Sequence, residues 1–148
     1  MTIGPERAAQ LARSEAGRAD EPAQVWAVRR LSSPQGDYLL VVLGADGGAT
    51  GLAAVRVADG EVLSWAVLDG SRPHLSVDAA AAIQLSGLGP DARGELVWVP
   101  SALSQSPLYP FWSVTDGERT RYVDLQGGAW DAIEPGGRGG APTKGGLR

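Results

Sequence analysis

Tyr38-Leu39-Leu40-Val41-Val42-Leu43, then Gly44-Ala45-Asp46-Gly47-Gly48-Ala49, then Leu52-Ala53-Ala54-Val55-Arg56-Val57-Ala58-Asp59-Gly60-Glu61-Val62-Leu63 form the stretch that decides the fold. Its first six residues are apolar without interruption, the pattern of a strand buried on both faces or lying in a sheet centre. Asp46-Gly47-Gly48 then favours a turn with positive φ, and apolar residues resume at once, so the segment reads as a hairpin. A phosphate-binding loop would need a helix after the glycines, and a P-loop a lysine followed by serine or threonine. Here a strand follows and no lysine is present. Asp59-Gly60 marks a second turn, leading into a strand over residues 61–68.

Upstream, residues 6–16 read as a helix. Pro5 sits where a first-turn proline is tolerated, Ala8, Leu11, Ala12 and Ala16 share one face, and Gly17 is the stop. A strand follows over residues 24–31, with Trp26 and Val28 on one face and Val25 and Ala27 on the other. Residues 32–36 are a turn cluster. Downstream, Ser76 or Asp78 caps a second helix over residues 79–85, closed near Gly87. Strands are expected over 95–99, 111–115, 121–125 and 129–133, with turns at Asp116-Gly117 and Gln126-Gly127-Gly128 and a proline-bearing loop over 104–110.

The two halves align on more than element order. Val25-Trp26 matches Val97-Trp98, Asp46-Gly47 matches Asp116-Gly117, and Gly60-Glu61-Val62-Leu63 matches Gly127-Gly128-Ala129-Trp130. Loop deletions in the second half account for the drift. The fold class expected is α+β: a helix followed by four antiparallel strands, twice over (residues 5–68 and 76–133), in one domain over 1–134. Its helices lie on one face of the sheet. Superposed, Trp26 falls on Trp98 and Gly60 on Gly127. Residues 135–148 hold six glycines and read as a flexible tail.

Val55-Arg56-Val57-Ala58-Asp59-Gly60-Glu61-Val62-Leu63 resembles the closing signature of the PepSY domain, in which a strand ends in aspartate, glycine and a hydrophobic pair. Residues 121–130 are similar to it more loosely. The resemblance implies two tandem PepSY-like units over 5–68 and 76–133. Members of that family are typically non-enzymatic, often exported, and associated with protease inhibition or with sensor and membrane proteins. The resemblance brings no catalytic residues.

Composition narrows the classes. Cysteine is absent, so thiol catalysis, disulfides and thiolate-held metals are excluded, and a reducing compartment fits. Residues 1–134 hold ten basic and seventeen acidic side chains, a net of −7, while 135–148 carry +3 from Arg138, Lys144 and Arg148. An acidic body repels phosphate backbones, so no nucleic-acid partner is expected. No apolar run approaches bilayer length and no signal-like segment opens the chain, which points to a cytoplasmic protein with no membrane partner. Arginine far outnumbers lysine, the mark of a GC-rich bacterial genome.

Chemistry-bearing residues are sparse. His74 is the only histidine, and neither a base's orienting partner nor further metal ligands adjoin it, although Asp69 and Asp78 lie within chain reach. Ser101, Ser104 and Ser106 lack a nucleophile-elbow context. Asp116, Glu118, Asp124 and Asp131 sit on turns or strand faces, where carboxylates ordinarily serve solvation. No catalytic, metal or cofactor residues are assigned, and no enzyme is expected. The informative residues are aromatic. Five tryptophans are several-fold above a usual share of about 1%. Core packing explains most of them, and Trp26 and Trp98 are expected to be buried. A surplus ring is a natural binding hot spot. Pro107-Leu108-Tyr109-Pro110-Phe111-Trp112 is the most unusual segment, a kinked entry into a strand with a P-x-x-P pattern.

Tyr109, Phe111, Trp112 and Trp65 are therefore the candidate partner-binding residues. The expected function is a non-catalytic binding or regulatory module for a protein or peptide, and a homodimer is compatible with it. The alternatives are a small-molecule-binding or enzymatic α+β domain with a scattered site, and a structural or immunity-type subunit of a fixed complex.

Overall fold

The computed structural model describes residues 2–31, 36–45 and 47–133. The expected turn residues 32–35, the turn aspartate Asp46 and the glycine-rich tail over 135–148 lie outside them. The protein is α+β, with two helices and eight strands among the described residues, and it divides into two compact units, Met1–His74 and Leu75–Arg148.

The first unit opens with helix α1 (Pro5–Ala16), closed by Gly17 in the left-handed conformation. Strands β1 (Ala23–Arg30), β2 (Tyr38–Leu43), β3 (Gly51–Arg56) and β4 (Val62–Val67) follow. They pair antiparallel in the order β4-β3-β2-β1, with partners Val28↔Tyr38, Leu39↔Val55 and Ala53↔Trp65. Alternation puts Leu39, Val41 and Leu43 of β2 and Ala53 and Val55 of β3 on one face. There they meet Ala8, Ala9 and Ala12 of α1, whose small side chains let the helix lie close. All six residues of β2 are buried, as expected of a strand covered on both faces.

The second unit has the same element order. Helix α2 (Ala79–Ser86) starts at Asp78, whose Oδ1 accepts the Ala81 N–H at 2.8 Å, and ends at left-handed Gly87. Strands β5 (Arg93–Trp98), β6 (Phe111–Thr115), β7 (Thr120–Val123) and β8 (Ala129–Trp130) pair antiparallel in sequence order. Strand β8 is shorter than expected, and just beyond it Asp131 pairs with Arg121 of β7. Trp112 anchors the unit. Its Nε1 donates to Val77 O at 2.8 Å, and its ring lies beside Gly94 beneath α2.

The pairing corrects one sequence expectation. Val25 packs with the α1-facing core, so Trp26 points to the opposite face. Trp98 alternates with Leu96, the partner of Trp112, and so shares the helix-facing side of its unit. The two tryptophans occupy opposite faces relative to their helices and are not equivalent. The dipeptide match holds for composition only, because a shift by an odd number of residues exchanges the faces of a strand. Burial differs accordingly: Trp98 is buried, whereas Trp26 is half-buried.

Candidate functional site

Strand β4 bounds the first unit's sheet, and among the described residues no strand pairs with its outer edge. Leu68 N–H donates to Thr50 O at 2.9 Å. Alternation from that bond turns the backbone groups of Ser64 and Ala66 toward β3 and those of Trp65 and Val67 outward. A register shift opposite Ala54 and Val55 kinks the strand's start. Beyond it Trp65 and Val67 stand on the α1 side of the sheet, opposite Ala53 and Gly51, and are 48% and 49% exposed. An open edge is usually blunted by lysine or proline; residues 62–68 contain neither.

Carboxylates bracket this edge. At its entry Arg56 holds Asp59 through two hydrogen bonds, at 3.0 and 2.7 Å, and reaches Glu61 at 3.1 Å. Asp59 Oδ1 also accepts the Glu61 N–H, closing the turn. The Arg56 hydrogen bonds, followed by that backbone donor, hold the Asp59 carboxyl down at about 2. At the exit, Asp69 accepts the Ser71 N–H, and bonding from Ser71 lowers its carboxyl as well. A depressed folded value means that the Asp59 contribution is full above the unfolded value of about 3.9 and is lost as pH falls through about 2. A carboxyl-carbon NMR titration should place the Asp59 midpoint near 2 and return it to the ordinary range in Arg56→Gln; an unshifted midpoint in the native chain would contradict the pairing.

The four sequence candidates separate. Trp65 and Tyr109 are exposed. Phe111 and Trp112 are buried: the Phe111 ring meets Tyr122 edge-on at 6.2 Å, and Trp112 is the anchor described above. Those two rings are core, because alternation and the ladder to β5 turn both faces of β6 inward. Tyr109 borders a hollow of about 350 Å³ lined also by Leu103, Ser104, Gln105, Ser106 and Leu125. The hollow's polar atoms serve the loop itself: Ser104 Oγ donates to Ser106 O and accepts the Trp98 indole, and Gln105 donates to Ser101 O. The carboxylates of the second unit are engaged likewise. Asp116 accepts from Glu118 and Arg119, Asp124 from Gln126, Gly128 and the Trp130 indole, and Asp131 pairs with Arg121 at 3.0 Å. His74 is half-buried at the end of the first unit.

Val67 is the site residue that sequence reasoning missed. Its signal was available, since Trp65 and Val67 alternate on one strand face, but only the strand order shows that the strand lies at an edge. Among the described residues no helix is long and apolar enough to cross a membrane, and no three side chains of metal-ligand type converge. Compared with protein-family models, curated proteins and solved structures, the chain matches none, so the resemblance to the PepSY domain rests on the residues quoted for it.

Proposed function

We propose that the chain is a non-catalytic binding module that recognises a protein or peptide partner by adding the partner's strand to β4. One observation carries this reading: a backbone edge, unpaired among the described residues, whose outward residues, Trp65 and Val67, are both large, apolar and about half exposed. Main-chain hydrogen bonds along such an edge supply affinity, and the side chains of alternate residues supply selectivity. Tryptophan is the residue type most enriched where binding energy concentrates. The small-molecule alternative would centre on the hollow at Tyr109, but its polar groups are already committed within the loop.

The two units read as diverged copies of one ancestral unit. Supporting this, Val28↔Tyr38 corresponds to Val97↔Phe111, Leu39↔Val55 to Trp112↔Val123, and Val55↔Val62 to Val123↔Ala129, all in one consistent register. Gly60 and Gly127 then occupy matching turns, and Val28 rather than Trp26 corresponds to a core residue of β5, Val97. In the second unit the strand corresponding to β4 has shrunk to two residues, with Trp130 tied to Asp124. Among the described residues, divergence leaves the longer open edge to the first unit.

Displayed peptide libraries selected on the intact chain test this reading. Enriched extended peptides should shift the amides of residues 63–67, and Trp65→Lys should abolish their binding while leaving the melting temperature nearly unchanged. Shifts confined to the Tyr109 hollow, or binding indifferent to Trp65, would refute it.

A further inference from the structure

We infer that the strand taken up by β4 is an extended peptide segment of a partner protein with an apolar centre and a cationic residue at each end; this rests on the docking reading above. Between Val57 and Ser71 the chain carries three acidic side chains, Asp59, Glu61 and Asp69, and no cation. All three are exposed, at the two ends of the edge, with Trp65 and Val67 between them. Arg56 offsets one charge at the entry, but it is only 22% exposed and its guanidinium is turned to Asp59 and Glu61, whose side chains stand out at 51% and 59%. Arg72 lies near Asp69 and weakens the exit end without reversing it. The docked strand thus meets exposed carboxylates at both ends, net negative at the entry and offset by Arg72 at the exit, and an indole in the middle.

The same arrangement argues against a second copy as the occupant. Antiparallel pairing of two β4 strands centred on Trp65 sets Glu61 of each across from Asp69 of the other, and like charges directly opposite are unfavourable. A partner strand with Lys or Arg at those places turns both contacts favourable. Glu61 and Asp69 are eight residues apart, with one residue taken up by the register shift, so the cations should stand about 24 Å apart on the partner, or about seven residues.

The test titrates three synthetic peptides into the labelled full chain. Each has the same alternating Thr-Val centre, with Lys, Ser or Glu at the two end positions. The lysine peptide should shift the β4 amides and bind about three- to thirty-fold more tightly than the serine peptide, as expected from two exposed ion pairs. The glutamate peptide should bind most weakly, and salt should erase the ranking. The double variant Glu61→Lys/Asp69→Lys should invert the order, and the milder Glu61→Gln/Asp69→Asn should level it. Equal binding of all three peptides at β4 would overturn the charge requirement while leaving strand docking in place. No β4 shift with any of them overturns the inference, and if the displayed peptides also miss β4 the docking reading falls with it. A concentration-dependent dimer in sedimentation that is dispersed by Trp65→Lys would make a second copy the occupant and overturn the inference as well.

Discussion

Replacing Trp112 with alanine lowers the unfolding free energy by about 3–5 kcal/mol, the range for deleting a large aromatic side chain from a packed core. The ring is 4% exposed, lies against Gly94 and Val123's strand, and holds Val77 O through its indole N–H. Truncation therefore opens a cavity under α2 and strips a carbonyl of its donor at the start of that helix. Chemical denaturation checks the value. Trp112→Phe retains most of the volume and loses only the hydrogen bond, so it should cost about 1–2 kcal/mol. Trp65→Ala, on the open edge, should stay within about 0.5 kcal/mol. A Trp112 cost no larger than the Trp65 cost would remove Trp112 from the core and with it the account of the second unit.

Gly44→Ala is the second large expected effect, at about 3–5 kcal/mol. Gly44 has φ +124°, a conformation L side chains rarely adopt, and an added methyl would collide with Gly48 O and lie 2.9 Å from Thr50 N. These are backbone atoms in a closed network. Thr50 N–H donates to Leu43 O at 2.7 Å, and Gly44 N–H to Pro22 O at 2.9 Å, so the clash has no flexible side chain to displace. Backbone strain and overpacking each cost about 1–3 kcal/mol, and here they add. Gly47→Ala is the control. Gly47 also has positive φ, +90°, but open space beyond it, so strain alone, about 1–2 kcal/mol, should appear in the denaturation midpoint. Equal losses at Gly44 and Gly47 would show that conformation, and not the close approach, governs the turn.

The hairpin around those glycines shows how sequence and structure divide the account. The Asp-Gly-Gly signal located the turn, and Gly47 has the positive φ that such turns need. Gly48 does not: its constraint is space, because a methyl there would meet Gly70 O from the chain's return after β4. No local pattern around residue 48 reveals that, since Gly70 is distant in sequence. The aromatic segment divides similarly. Its composition marked 107–112 as unusual, yet Tyr109 emerged exposed and Phe111 and Trp112 buried.

What the sequence determined by itself is what depends on neighbours along the chain. Helix α1 follows from Pro5, the alanine-rich face and Gly17, α2 from the Asp78 cap and Gly87, and β2 from an unbroken apolar run. The tertiary structure alone decided register and edge. A strand's alternation is visible in sequence, but which of its two faces meets the helix depends on pairing with strands tens of residues away. Trp26 and Trp98 could therefore share a dipeptide and occupy opposite faces. Whether a strand is central or terminal is likewise a property of sheet order, and that order left the backbone beside Trp65 and Val67 without a neighbour among the described residues.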